Sequence, residues 1–108
     1  MERLKKRPQF LAAAKGKSCA RGAVVVQDAP GGLDDAIRVG FTATRKIGGS
    51  VVRNRAKRRL REAARTLLPL HGRLGRDYVF IARTGTAIRP WARLLDDIKS
   101  ALISLAAN

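Results

Sequence analysis

The chain has 108 residues, enough for one domain with one modest core, and 45% of them are hydrophobic. Lys and Arg number 23 against 8 acidic residues, and the formal charge of +15 opposes compaction unless a polyanion offsets it. No stretch approaches the ~20 apolar residues of a membrane-spanning helix, and the lone Cys19 excludes an intrachain disulfide and fits a reducing compartment.

Met1–Arg7 reads as a basic arm, ordered only where it meets something else. The apolar run Phe10–Ala14 is too short for the core of a signal sequence, so a soluble cytoplasmic protein is expected. Pro8 suits the first turn of a short helix over Gln9–Lys15, which Gly16 ends. The β-branched run Val24-Val25-Val26 predicts a buried strand within Arg21–Gln27, with Cys19 as a small apolar strand residue ahead of it. Pro30-Gly31-Gly32 is turn chemistry. Ile37–Thr44 then alternates, with Ile37, Val39, Phe41 and Ala43 on one face and Arg38, Gly40, Thr42 and Thr44 on the other. The short connection predicts a hairpin between these two strands.

Arg45-Lys46-Ile47-Gly48-Gly49 is a basic loop leading into a helix for which Ser50 is the expected N-cap and Pro69 the expected stop. On that helix Val52, Ala56, Leu60, Ala63 and Leu67 fall on one stripe. Arg53, Arg55, Lys57, Arg58, Arg61 and Arg65 spread over the other side, with Arg59 near the edge of the stripe. A polar connector over His71–Arg76 precedes a strand over Tyr78–Ala82. Pro90 introduces a last helix over Trp91–Leu105, whose stripe is Leu94, Leu95, Ile98, Ala101, Leu102 and Leu105. The order α-β-β-α-β-α, with room for one further short strand, implies a single two-layer α+β domain: helices against a small, mostly antiparallel sheet.

A protein-borne active site would need a nucleophile with its base, paired carboxylates or a metal cluster. The single His71 has no Cys or His at metal-ligand spacing, and Asp34-Asp35 and Asp96-Asp97 read as solvated charge beside basic neighbours. The basic helix differs from an ordinary solvated face. Like charges at i,i+4, such as Arg53/Lys57, Lys57/Arg61 and Arg55/Arg59, repel one another and oppose the helix. Guanidinium groups in that density suit phosphate. Asn54 adds an amide able to donate and accept, and Gly48-Gly49 would let backbone approach a phosphate at the helix start. Phe10, Phe41 and Trp91 read as packing residues; the two phenylalanines could stack bases if exposed on the sheet.

The stretch Arg38-Val-Gly-Phe-Thr-Ala-Thr-Arg-Lys-Ile-Gly-Gly49, followed by Arg-Asn-Arg-x-Lys-Arg-x-x-Arg-Glu over Arg53 to Glu62, resembles the protein component of bacterial ribonuclease P. Arg3-Leu-Lys-Lys with Phe10, and Asp77-Tyr-Val-Phe-Ile-Ala-Arg83, extend the resemblance over nearly the whole chain. It implies a subunit, 1–108 as one RNA-binding domain with 1–7 as an arm, that binds the ribonuclease P RNA and the 5′ leader of precursor tRNA. The RNA would be the catalyst, and Mg²⁺ would be bound mainly by the RNA and not tightly by the protein. One protein copy would serve each holoenzyme, which could itself dimerise.

By the same resemblance Arg45, Lys46, Arg53, Asn54, Arg55, Lys57, Arg58, Arg59, Arg61 and Arg65 would contact the ribonuclease P RNA, while Phe10, Lys15 and Val25 would border the leader cleft. A left-handed β-α-β crossover around the basic helix is also implied. Ala13, Ala14 and Gln27 stand where relatives often have aromatics, which shifts leader contacts towards backbone and charge; Ser50 stands where Ala is usual. Two other classes compete. A general RNA-binding module is one, although Arg38–Ala43 lacks the aromatic RNP1 pattern. A cationic membrane-surface helix is the other, but the Ala- and Val-rich stripe lacks the large apolar anchors of such helices.

Overall fold

The computed structural model describes residues 1–107. The chain runs β1 (Glu2–Arg3), α1 (Arg7–Ala14), β2 (Lys17–Arg21), β3 (Val24–Pro30), β4 (Arg38–Thr42), a 3-10 turn (Arg45–Ile47), α2 (Ser50–His71), β5 (Arg76–Ala82) and α3 (Trp91–Ala107). The five strands form one sheet in the order β1-β4-β5-β3-β2. Antiparallel pairing joins β2 to β3 and β3 to β5; parallel pairing joins β4 to β5 and β1 to β4, and the longest ladder is the antiparallel one between β3 and β5.

The hairpin expected between β3 and β4 does not form. Strand β5 lies between them, pairing Val26 with Phe80 on one side and Phe41 with Phe80 on the other. The reason is burial: Tyr78, Val79 and Phe80 are almost wholly enclosed, and only a central position with strands on both sides achieves that. The hairpin partner of β3 is instead β2, turning at Gly22-Ala23, a strand that its largely polar and exposed residues had hidden. Cys19 packs there against the core, as a small apolar residue would. The arm is also ordered within the chain itself, because β1 adds to the β4 edge through Glu2 N–H to Ile37 O (3.1 Å) and Leu4 N–H to Val39 O (2.9 Å).

Helices α2 and α3 bury Leu60, Leu68, Leu94, Ile98 and Leu102 against Val24, Val26, Val39, Phe41 and Phe80. Within α2 the buried stripe is Ala56, Leu60, Ala63, Ala64, Leu67 and Leu68, whereas Val52 is exposed because it precedes the point where the helix meets the sheet. Helix α1 lies on the opposite sheet face, where Leu4, Ala13, Ala29 and Val79 form a smaller cluster, and so adds a partial third layer. Gln9 Oε1 caps its start by accepting the N–H groups of Lys5 (2.9 Å) and Lys6 (3.0 Å).

Two boundaries differ from expectation. Gly49, not Ser50, is the N-cap of α2, its carbonyl accepting the first helical bond from Arg53 N–H at 2.9 Å. Pro69 does not stop the helix. It sits on the exposed side of the last turn, where its ring meets no core residue, and the helix ends when Gly72 N–H meets Leu68 O.

Tyr78 shows how the far end of the sheet is secured. Its hydroxyl accepts Arg73 N–H at 3.0 Å, and burial pushes the phenol above its usual value of 10.0. A raised folded value means stability is complete below pH 10 and is lost as pH climbs towards the folded value, when only the unfolded chain ionises. Tyr78→Phe should therefore flatten the alkaline limb of the melting temperature against pH, at the cost of one hydrogen bond. A limb of unchanged steepness would place the alkaline sensitivity elsewhere.

Candidate nucleic-acid interface

The approach to α2 is a tight basic turn. Gly48 has a φ of 142°, and a Cβ there would also press within 2.9 Å of Val52, so the turn that presents Arg45 and Lys46 requires glycine. Arg45 and Lys46 are both exposed. From the turn, α2 carries its cations in three distinct settings.

On the outer face Asn54, Arg55, Arg58 and Arg61 line a shallow groove with Val51. Among the described residues Arg45, Lys46, Asn54, Lys57, Arg58 and Arg61 have no side-chain hydrogen bond or ion pair. Arg65 sits beside Glu62 at 3.5 Å, an exposed contact worth little in solvent. On the flank towards β4, Lys57 shares a second groove with Arg7, Phe10, Phe41, Thr42 and Ala43. Arg53 is half-buried, and its Nε is shielded from solvent without a partner.

On the other flank the guanidinium groups are tied to the protein. Arg55 Nε donates to Ala87 O (2.8 Å), and Arg59 donates to Thr86 O (2.5 Å) and to Arg89 O. Arg59 also lies over the ring of Trp91, 5.7 Å from its centroid. Burial pushes the Arg59 guanidinium below its ordinary value, and the neighbouring charge of Arg55 adds to the effect. Arg59, expected among the RNA contacts, is thus tied to the carbonyls of the 83–90 loop. Thr86 is the residue that sequence reasoning missed. Its wholly buried hydroxyl donates to Ala23 O (2.5 Å) and accepts Arg83 N–H (2.8 Å), shaping the loop whose carbonyls face the two arginines. Nothing in its local pattern marks it.

The cleft residues sort by sheet face. Phe10 lies over Gly40, where any Cβ would come within 2.5 Å of the ring, so glycine is what seats the aromatic on β4. Val25, Ile81 and Thr42 form one half-buried row across β3, β5 and β4 on the same side as α1. Lys15 is exposed at the C-terminal cap of α1. Ala13 is buried against the sheet and Ala14 is exposed. Phe41 is not available for stacking: it is buried, edge-to-face with Phe80 at 5.8 Å, with the Arg3 guanidinium 4.8 Å above its ring.

The acidic side chains lie mainly elsewhere. Asp28 accepts from Arg76 (2.7 Å) and Arg73 (3.3 Å), Asp77 from Arg38, and Asp97 from Arg89 (2.7 Å) and Ala23 N–H (3.1 Å). Asp97 is thus a structural anchor, not the solvated charge expected of it. Among the described residues no three His, Cys, Asp or Glu side chains come together as a metal cage. No helix among them is long and apolar enough to cross a membrane.

A family profile described as ribonuclease P matches residues 1–106. This chain belongs to the ribonuclease P protein component family. It is 68% identical to the ribonuclease P protein component of Caulobacter vibrioides, over 99% of this chain and 72% of that protein. It is 51% identical to that of Ruegeria pomeroyi, over 96% of this chain and 86% of the relative. Its fold superposes on an RNase P protein of Staphylococcus aureus with a TM-score of 0.80, at 28% identity over 98% and 95% of the two chains. The RNase P protein of Thermotoga maritima gives 0.79 at 28% identity, over 96% and 97%. Membership places the chain in tRNA 5′ processing, as a partner of RNase P RNA.

Proposed function

We propose that the outer face of α2 and the preceding turn dock on RNase P RNA, while the sheet face beside α1 receives the 5′ leader of precursor tRNA. One observation carries the first half: among the described residues Arg45, Lys46, Lys57, Arg58 and Arg61 have no protein partner, while Asp28, Asp77 and Asp97 are committed to arginines elsewhere. A row of unpaired guanidinium and ammonium groups is stable beside a polyanion and strained without one. The docking set is Arg45, Lys46, Arg53, Asn54, Lys57, Arg58, Arg61 and Arg65, with Arg55 contributing through its exposed side.

The cleft reading rests on Phe10 and Val25 sharing one sheet face, with Lys15 at the end of α1. The groove that holds both Phe10 and Lys57 joins the cleft to the basic helix. In this reading the RNA carries the chemistry and holds the Mg²⁺. The protein acts as a single copy in the cytoplasm. The deciding assay is cleavage of precursor tRNA by a bacterial RNase P RNA at low Mg²⁺, with and without the chain. Stimulation is expected, and its absence would overturn this reading.

The cleft has its own test. Phe10→Ala should weaken binding of leader-bearing precursor tRNA to the holoenzyme roughly five- to hundredfold, the span of one missing base stack. Gly40→Ala should act in the same direction, because the new methyl lifts the Phe10 ring from the sheet. Affinity for RNase P RNA should hold in both. Equal losses for the two ligands would reveal a folding defect and no leader contact.

A further inference from the structure

The side of α2 away from the cleft ends in an exposed aromatic. Trp91 opens α3 and would be expected to pack, yet it remains 40% exposed. One approach to its ring is occupied by the Arg59 guanidinium, itself held by the carbonyls of Thr86 and Arg89. The ring therefore has a fixed neighbour on the protein side and an open side towards solvent. Ile88, 81% exposed, stands in the adjoining loop. The surrounding charge is positive: Arg55 is exposed on α2, and Arg83 and Arg93 are exposed without partners among the described residues. The nearby acid Asp97 is already bound to Arg89.

We propose that Trp91 is a stacking platform for an unpaired base of RNase P RNA, with the exposed Arg55 on the neighbouring face of α2 available to a flanking phosphate. The inference rests on the reading that α2 faces this RNA, and it extends that footprint round the helix onto the start of α3. An apolar protein partner fits less well, because it would have to desolvate the Arg59 guanidinium that lies over the indole. A nucleotide satisfies both chemistries at once, since every base offers a π-face and every phosphate a negative charge. RNase P RNA is favoured over precursor tRNA because Phe10 and the cleft lie on the opposite flank of α2, the one that carries Lys57.

Trp91 is the only tryptophan in the chain, so intrinsic fluorescence reports this site alone. Titrating the full chain with RNase P RNA should quench the emission and shield the indole from acrylamide in the saturated complex. Precursor tRNA alone should leave both unchanged. Trp91→Leu should weaken RNase P RNA binding roughly five- to hundredfold with the salt dependence of binding unaltered, and Trp91→Phe should retain most of the affinity. Filter binding of the unmodified chain separates the two levels of the proposal. No binding of RNase P RNA would overturn the α2 reading and this one with it. Binding with an indole still fully open to acrylamide would overturn only the stacking role. So would a Trp91→Leu variant that loses its salt slope along with its affinity, or quenching by precursor tRNA in place of RNase P RNA.

Discussion

Alanine at both Arg58 and Arg61 is expected to lower affinity for RNase P RNA about a hundredfold, near tenfold for each guanidinium removed from a phosphate. The slope of log affinity against log salt should fall by about 1.4–1.8, since each phosphate that goes unneutralised lowers it by about 0.7–0.9. The melting temperature should scarcely move, because both side chains are exposed and touch no protein partner among the described residues. Arg59→Ala should behave in the opposite way. It frees the carbonyls of Thr86 and Arg89 and uncovers one side of Trp91, so it should cost about 1–3 kcal/mol of stability while leaving the salt slope nearly intact. Two arginines one residue apart in sequence are thereby assigned different work. A salt slope unchanged in the double variant would mean the outer face of α2 is not on RNA.

That contrast marks what a sequence can and cannot disclose. The heptad-like recurrence of Ala56, Leu60, Ala63 and Leu67 made α2 legible, because burial on a helix has a period. The alternation of Val39 and Phe41 made β4 legible for the same kind of reason. Strand order was not legible: nothing local distinguishes a hairpin between β3 and β4 from an arrangement with β5 inserted between them, and only the global need to bury Tyr78, Val79 and Phe80 decides it. The site followed the same division. The density of cations on α2 was plain in the chain, but the separation into outward, cleft-side and loop-side groups depends on the carbonyls of residues 86, 87 and 89, which have no side-chain signature. Arg38, within the stretch that carries the family resemblance, carries no sign in sequence of a partner, and the structure turns it inward onto Asp77.

Asp77→Ala tests that inward role. Arg38 and Asp77 are register partners on the parallel strands β4 and β5, joined by Nε to Oδ1 at 2.7 Å and a second bond to Oδ2 at 2.6 Å. Both are largely enclosed, with side chains 18% and 7% exposed, and the hydrogen bonds to Asp77 hold the Arg38 guanidinium above its usual range despite partial burial. Deleting the carboxylate leaves a cation unpaired between two strands, a loss of about 3 kcal/mol, or roughly 10–20 °C of melting temperature in a domain of this size. The value should be insensitive to pH through the neutral range, because Arg38 keeps its proton throughout. Replacing both partners, as Arg38→Met with Asp77→Leu, should recover most of the loss, since no buried charge is then left alone. The effect on function should follow from stability only. The β4-α2-β5 unit holds α2 in place, so at a temperature where Asp77→Ala is still folded, its salt slope for RNase P RNA should equal that of the unmodified chain. A reduced slope there, with the melting temperature unmoved, would put Arg38 on the RNA and reverse its assignment as the fastening between β4 and β5.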